Sequence, residues 1–126
     1  MSVPSDVDFD SSNLVAQVEK LSPTERDALP FGAVEMDSAG NVISYNKTQE
    51  RIAGYDVPIG GNLFEVSRSP SKDELKARIM RAIEAGPVDL DFGWVGGTSH
   101  REIRLRILSS PRGGVWMFVE SDYGQS

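Results

Sequence analysis

The chain has 126 residues and a formal net charge of −6, with 39% hydrophobic and 25% charged residues, values that suit one globular domain with a single core. The acidic balance argues against a nucleic-acid partner, because affinity for a phosphate backbone needs clustered lysine and arginine. The chain has no cysteine, which excludes disulfides, thiolate nucleophiles and cysteine metal sites. No apolar run is long enough to span a bilayer, and residues 1–12 do not resemble a signal peptide. We therefore expect a soluble cytoplasmic protein without a membrane partner.

The N-terminal thirty residues divide into a tail and a helical cap. Residues 1–12 are acidic and are predicted to be a mobile tail. Residues 13–30 are predicted to form two short helices. The first carries an apolar stripe of Leu14, Val18 and Leu21. The second has Pro23 at its first position, after a serine that can form a capping box.

The remaining elements alternate between strand and helix patterns. A helix is predicted over residues 72–85, where Leu75, Ile79 and Ile83 share one face and Gly86 follows as a stop. Strands are predicted at 31–37, 41–46, 88–95, 101–109 and 114–121. Helices grouped between two sets of antiparallel strands predict an α+β domain over residues 31–121. This domain would have a five-stranded antiparallel sheet with helices on one face, and residues 122–126 would form a C-terminal tail.

Four segments carry a resemblance to a known family. "LPFGAVEMDSAGNVISYN" (29–46), "AGY" (53–55), "GGNLFEV" (60–66) and "GVWMFVE" (114–120) resemble, in order and spacing, segments of PAS domains, and most of all those of the photoactive yellow protein family. The resemblance spans about residues 13–121. It implies a PAS fold with an N-terminal cap and a role in signal transduction.

The resemblance also points to individual positions of a ligand pocket. The family's tyrosine, which hydrogen-bonds the phenolate of a p-coumaroyl chromophore, is matched by Tyr45. The family's glutamic acid is replaced by Gln49. A supporting threonine is matched only by Ala53, and Tyr55 replaces the arginine at the pocket mouth. These differences imply that the family's proton-transfer signalling is absent.

The cysteine that anchors the chromophore has no counterpart. Ser69 stands in its place, or Ser67 if the gap falls differently, and a hydroxyl cannot form the family's thioester. We therefore predict that no cofactor is bound and that p-coumarate photochemistry is absent. A haem or flavin sensor remains the alternative, although His100, the only histidine, lies near a turn and related flavin photosensors commonly use a cysteine.

The chemistry of Tyr45 and Gln49 also allows an interpretation that does not depend on the resemblance. Four residues apart at a strand–helix corner, a phenol and an amide converge and can both donate and accept hydrogen bonds. They could satisfy each other or water, or they could contact a ligand. Trp94 and Trp116 could likewise belong to the sheet core or cap interface, or line an aromatic pocket.

The charged residues give no catalytic constellation. Glu35, Asp89 and Asp91 are interpreted as solvent-facing strand residues, because acid–base catalysis would need two carboxylates in different environments. Arg104 and Arg106 share one face of a strand, which we interpret as a solvated face. We therefore predict that the protein is not an enzyme.

The resulting functional hypothesis is a sensory or interaction module. It would bind a small neutral ligand, or an unidentified signalling protein through its sheet or cap. The cap stripe at Leu14, Val18 and Leu21 could support a homodimer, but packing on the domain's own sheet explains it equally well.

Overall fold

Five antiparallel strands form one sheet in the computed structural model, which describes residues 7–53, 59–63, 72–96 and 101–121. They are β1 (Gly32–Met36), β2 (Val42–Tyr45), β3 (Asp89–Gly96), β4 (Arg101–Ser109) and β5 (Val115–Ser121). Their order across the sheet is β2-β1-β5-β4-β3. Every neighbouring pair is antiparallel, so that the strand nearest the C-terminus lies beside β1 in the middle of the sheet. The predicted sheet is confirmed, with each strand within two residues of its predicted bounds.

The described helices are α1 (Leu14–Glu19), α2 (Pro23–Asp27), α3 (Lys47–Ala53) and α4 (Lys72–Ala85). The capping box at the start of α2 is formed: Ser22 Oγ accepts the backbone N–H of Glu25 at 3.2 Å, and Glu25 Oε1 accepts that of Ser22 at 2.9 Å. α4 has its predicted bounds and is followed by Gly86 at φ 126°, a conformation that favours glycine. No helix among the described residues is long and apolar enough to cross a membrane.

The two faces of the sheet carry separate apolar cores, because side chains alternate along each strand. We call these the helix face and the cap face. Buried helix-face residues include Val34, Met36, Val42, Leu63, Ile79, Val88, Leu105, Ile107, Val115, Met117 and Val119. Buried cap-face residues are Phe9, Leu14, Val18, Leu29, Phe31, Ala33, Trp116 and Phe118. The predicted arrangement of helices on one face and a helical cap is confirmed.

The part of the predicted acidic tail that the structure describes is packed against the sheet. Phe9 is buried, and its ring lies edge-on to that of Phe31 with the centroids 5.4 Å apart. Residues 7–12 therefore contribute an apolar side chain to the cap face, and the mobility predicted for residues 1–12 stays a prediction. Residues 1–6 and the predicted C-terminal tail at 122–126 lie outside the described residues.

Candidate functional site

The corner between β2 and α3 is fixed by the side chain of Asn46, which is 2% exposed. Its Oδ1 accepts the backbone N–H groups of Ala33 and Gln49, each at 3.0 Å. Its Nδ2 donates to the carbonyl oxygens of Arg26 at 2.8 Å and Phe31 at 3.1 Å. One amide therefore connects the cap, β1 and the first turn of α3. Asn46 was not among the predicted site residues, although a buried amide at a helix N-terminus is a common capping arrangement.

α3 has two further contacts with the chain that precedes β1. The backbone N–H of Lys47 donates to Asp27 Oδ1 at 2.9 Å, and Thr48 Oγ1 donates to the carbonyl oxygen of Leu29 at 2.7 Å. Thr48 is buried, so this second bond lies out of water. A displacement of α3 must therefore disturb residues at the end of the cap.

Gln49 lies on α3 with its side chain buried, 5% exposed. Its Oε1 has no hydrogen-bond partner among the described residues. The amide lies against Gly32, where an added Cβ would overlap Oε1. Gly32 is on the helix face by alternation with Val34. The predicted pocket residue thus directs an unpaired acceptor toward the helix-face interior.

Tyr45 ends β2 and is half-buried, with its ring packed against the helix-face core. Tyr45 and Gln49 therefore lie on the same side of the sheet, and their convergence on one ligand stays a prediction. Ala53 is the last residue of α3 and Trp94 lies in β3, and the structure describes the backbone of both. Tyr55, Ser67, Ser69 and His100 lie outside the described residues.

The prediction that Glu35 faces solvent is wrong, because its side chain is buried on the cap face and 3% exposed. Its Oε2 accepts hydrogen bonds from Ser110 Oγ and from Arg112 Nε, each at 2.6 Å. Arg112 also forms an ion pair with Glu19 at the end of α1. No local pattern indicates these contacts, since Glu35 and its partners lie more than seventy residues apart.

The Glu19 carboxylate links the cap to β5 as well. Trp116 Nε1 donates to Glu19 Oε2 at 2.6 Å, and the Arg26 guanidinium lies 5.3 Å from the centroid of the Trp116 ring. Burial would raise the pKa of Glu19, but hydrogen bonds from Arg112 and Trp116 and the nearby arginine charges lower it overall. The ionised carboxylate therefore favours the docked cap. Trp116, 1% exposed, belongs to the cap interface, one of its two predicted environments.

Arg106 is also buried rather than solvated, at 8% exposed. Its Nη1 donates to the carbonyl oxygens of Phe9 at 2.7 Å and Ser11 at 2.8 Å, so the segment before α1 covers it. Arg104, on the same face, is partly exposed and pairs with Asp91 and Asp10. The solvated-face prediction is therefore wrong for Arg106.

The remaining charge and cap predictions have mixed outcomes. Asp89 and Asp91 are exposed, as predicted. Leu14 and Val18 are fully buried in the cap-face core with the aromatic residues of the sheet. The apolar stripe of α1 therefore packs on the domain's own sheet, one of the two interpretations that its sequence allowed.

A surface cavity of about 190 Å³ lies apart from this site, where α4 ends. Its lining is mostly small residues and backbone: Ile83, Gly86, Pro87, Val88, Ser109, Ser110, Gly113 and Gly114. None of its described lining residues is a predicted site residue.

Comparison with known proteins finds photoactive yellow proteins or their domains both by sequence and by structure. No family model matches the chain. It is 26% identical over 120 residues to photoactive yellow protein from Halochromatium salexigens, covering 90% of this chain and 96% of the relative. It is 27% identical to the Rhodobacter capsulatus photoactive yellow protein, covering 88% and 91%.

Among solved structures, the photoactive yellow protein domain of the sensor histidine kinase Ppr from Rhodospirillum centenum superimposes with a TM-score of 0.68. It is 26% identical, and the match covers 82% of this chain and 96% of that domain. The PAS domain of histidine kinase ThkA matches at 0.53 with 19% identity, covering 74% of this chain and all of that one. The fold is therefore that of a PAS domain, and the chain is similar to photoactive yellow proteins while lacking any cysteine.

Proposed function

We propose that this chain, a PAS-fold protein similar to the photoactive yellow proteins but without a cysteine, is a sensory or interaction module whose input is a small neutral molecule. The observation that carries the proposal is the buried amide oxygen of Gln49, which has no partner among the described residues. A buried acceptor left unpaired costs about 1–3 kcal/mol. A ligand that donates a hydrogen bond to it would remove that cost.

The chemistry of Gln49 sets the class of ligand. An uncharged amide oxygen accepts a hydrogen bond from a hydroxyl or amide donor, but it gives no charge compensation to an ion. The surrounding helix face is built from Val, Leu, Ile and Met side chains, which favours an apolar molecule with one donor group. The PAS domain of the Cronobacter turicensis RpfR quorum-sensing receptor, whose fold is similar at a TM-score of 0.57 and 17% identity over 75% of this chain and 94% of that one, was solved in complex with BDSF.

The contacts of α3 supply a route from this ligand to the protein surface. The backbone N–H of Gln49 donates to the side chain of Asn46, and the same side chain donates to the carbonyl oxygens of Arg26 and Phe31. A ligand that binds one position of α3 more tightly shifts the population of that position, and the cap would shift with it. The output partner is then a signalling protein that binds the cap or the sheet.

The first experiment measures the purified protein itself. We expect no visible absorbance, because the thioester cannot form, and we expect native mass spectrometry of the protein expressed in cells to show a bound mass of a few hundred daltons or a thermal shift with apolar alcohols. Visible absorbance that co-purifies with the protein would overturn the neutral-ligand proposal in favour of a coloured cofactor. A protein that binds nothing by both methods would also overturn it.

A substitution then tests Gln49 directly. Gln49→Met keeps the shape of the side chain and removes the unpaired acceptor, so we expect the ligand-free protein to be more stable by about 1 kcal/mol and the ligand-induced thermal shift to disappear. Gln17→Met is the matched control, since Gln17 Oε1 is also buried and without a partner among the described residues but lies in α1. It should leave ligand binding unchanged. Unchanged ligand affinity in Gln49→Met would exclude this residue as a contact.

A further inference from the structure

The two edges of the sheet differ in their backbone pairing. The edge strand β2 is covered on its outer side by residues 60–63. There the N–H of Val42 donates to Gly61 at 2.9 Å, and that of Gly60 donates to Val42 at 2.7 Å. At the opposite edge lies β3, which pairs with β4 alone in the described part of the chain. β3 is also twice as long as β2, with eight residues against four.

The direction of the free backbone groups of β3 follows from its register with β4. The N–H of Ser109 donates to the carbonyl of Val88 at 3.1 Å, and Asp89 pairs with Leu108. Hydrogen-bonded and non-bonded pairs alternate in an antiparallel ladder. The even-numbered residues of β3 therefore bond to β4, while Asp89, Asp91, Gly93 and Val95 direct N–H and C=O groups outward.

The described residues of this edge lack three of the features that often prevent edge pairing. β3 contains no proline and no lysine, and its register with β4 runs from Asp89 to Gly96 without a bulge. Proteins commonly protect an exposed edge with one of these features. The only charges on β3 are the carboxylates of Asp89 and Asp91, which are exposed on the cap-face side of the strand.

We propose that the β3 edge is a self-association surface, on which β3 of a second copy pairs antiparallel about a two-fold axis to form a continuous ten-stranded sheet. The register that suits the charges places Phe92 opposite Phe92 of the second copy, and Asp91 opposite Gly93. In the backbone ladder between β3 and β4, Gly93 lies opposite Arg104 and Asp91 lies opposite Arg106. Each row across the interface then reads Arg104, Gly93, Asp91 and Arg106, so a carboxylate of one copy faces an arginine of the other across a residue without a side chain.

The neighbouring registers are less favourable for the same reason. A shift that pairs Asp91 with Asp91 places like charges directly opposite each other, which is destabilising. The opposite shift pairs Gly93 with Gly93 and leaves the two copies of Arg104 facing each other. The Phe92 register also places two aromatic rings opposite each other on the helix face, an arrangement that stabilises antiparallel pairs.

The area involved predicts a weak dimer. One strand edge from each copy falls below the 1,200–2,000 Å² that a stable interface typically buries. We therefore expect association to become visible between about 10 µM and about 1 mM. This surface is distinct from the cap and does not depend on the ligand of the proposed function.

Sedimentation velocity over that concentration range tests the proposal, with Gly93→Pro as the disrupting variant. Proline removes the outward N–H and blocks the edge, whereas the hydrogen bonds between β3 and β4 use even-numbered residues. Gly93→Ala is the matched control because it keeps the N–H. We expect a concentration-dependent dimer in the wild type and in Gly93→Ala, and a monomer in Gly93→Pro. A wild type that remains monomeric at about 1 mM, or a dimer that persists in Gly93→Pro, overturns the proposal.

A second measurement does not require a variant to fold. Amide hydrogen exchange of the wild type, followed by NMR at low and high protein concentration, reads each backbone N–H separately. The amides of Asp91 and Gly93 should become protected at high concentration, while those of Leu90 and Phe92 should be protected at both. Exchange at Asp91 and Gly93 that does not change with concentration contradicts pairing at this edge.

Discussion

The amide oxygen of Gln49 occupies the space that a side chain at Gly32 would need. A Cβ added to Gly32 would overlap Gln49 Oε1 and lie 3.2 Å from the Cα atom of Gln49. The φ angle of Gly32 is not positive, so glycine is required here for space and not for backbone conformation. This contact sets how closely α3 approaches β1.

Gly32→Ala is therefore expected to destabilise the protein by about 1–3 kcal/mol, the usual cost of inserting a methyl group into a packed interior. The amide can rotate away, but the backbone of α3 must also move. Urea denaturation of the variant measures the change in the free energy of unfolding.

The double variant Gly32→Ala with Gln49→Ala is the control, because it removes the amide that the new methyl group meets. Part of the lost stability should return, and the cycle should show coupling of at least 0.5 kcal/mol. Strictly additive changes in the free energy of unfolding would mean that Gly32 and Gln49 do not interact.

Arg112→Ala should cost more than Arg104→Ala, although each arginine pairs with two carboxylates. Glu35, a partner of Arg112, has a side chain that is 4% exposed, whereas Asp91, a partner of Arg104, is 44% exposed. Removing Arg112 leaves a buried carboxylate with less compensation, at a cost of about 2 kcal/mol. Removing Arg104 should cost at most about 1 kcal/mol.

Thermal and urea denaturation of both variants give the comparison. Adding Glu35→Gln to Arg112→Ala should recover stability, because a neutral amide needs less compensation than a charge. Equal losses in the two arginine variants would show that burial of Glu35 does not determine the effect.

The cap should loosen in acid because of Glu19. Burial opposes ionisation of this carboxyl group, but hydrogen bonds from Arg112 and Trp116 outweigh burial and hold its pKa below the usual 4.5. A pKa that is lower in the folded state stabilises the fold above about pH 4.5, and this contribution is lost as the pH falls through the folded pKa.

We therefore expect Glu19→Gln to lower the melting temperature at pH 7 and to flatten its decrease between pH 5 and pH 3. The fluorescence of Trp116, measured in a Trp94→Phe background, reports whether the cap leaves the sheet. Glu84→Gln, on the exposed side of α4, is the control. A pH profile of Glu19→Gln that parallels the wild type would exclude Glu19 as the source.

Asn46→Ala should destabilise the cap and α3 together. The substitution leaves two buried N–H groups and two carbonyl oxygens without the partner they have now, at a cost of about 2–4 kcal/mol. Hydrogen exchange should become faster in α2 and α3 by a similar factor, while β4 changes less. Faster exchange in α3 alone would show that Asn46 does not couple the two elements.

Local sequence patterns predicted the regular elements well. α4 has its predicted bounds because an apolar stripe, acidic first turn and terminal glycine agree over fourteen residues. The capping box at Ser22 needed only two residues three positions apart. In each case the determining interactions lie within a few residues along the chain.

The predictions failed where long-range contacts decide the environment. Glu35 and Arg106 alternate along their strands as solvent-facing residues would, yet both are buried by segments distant in sequence. Arg106 contacts a carbonyl 97 residues away. Alternation identifies which side chains share a face, but not whether a cap covers that face. The family resemblance identified the position of Gln49. That its Oε1 has no hydrogen-bond partner among the described residues is seen only in the structure.

The strand order has a consequence for how the chain folds. β1 forms a hairpin with β2, and β3, β4 and β5 form a meander, so these two units rely on contacts that are close in sequence. Their junction pairs Val34 with Met117, across most of the chain. Closing so large a loop carries an entropic cost before the pairing is formed. During synthesis on a ribosome, the side of β1 that pairs with β5 stays unpaired until β5 has emerged, and an unpaired strand edge makes a nascent chain prone to misassembly.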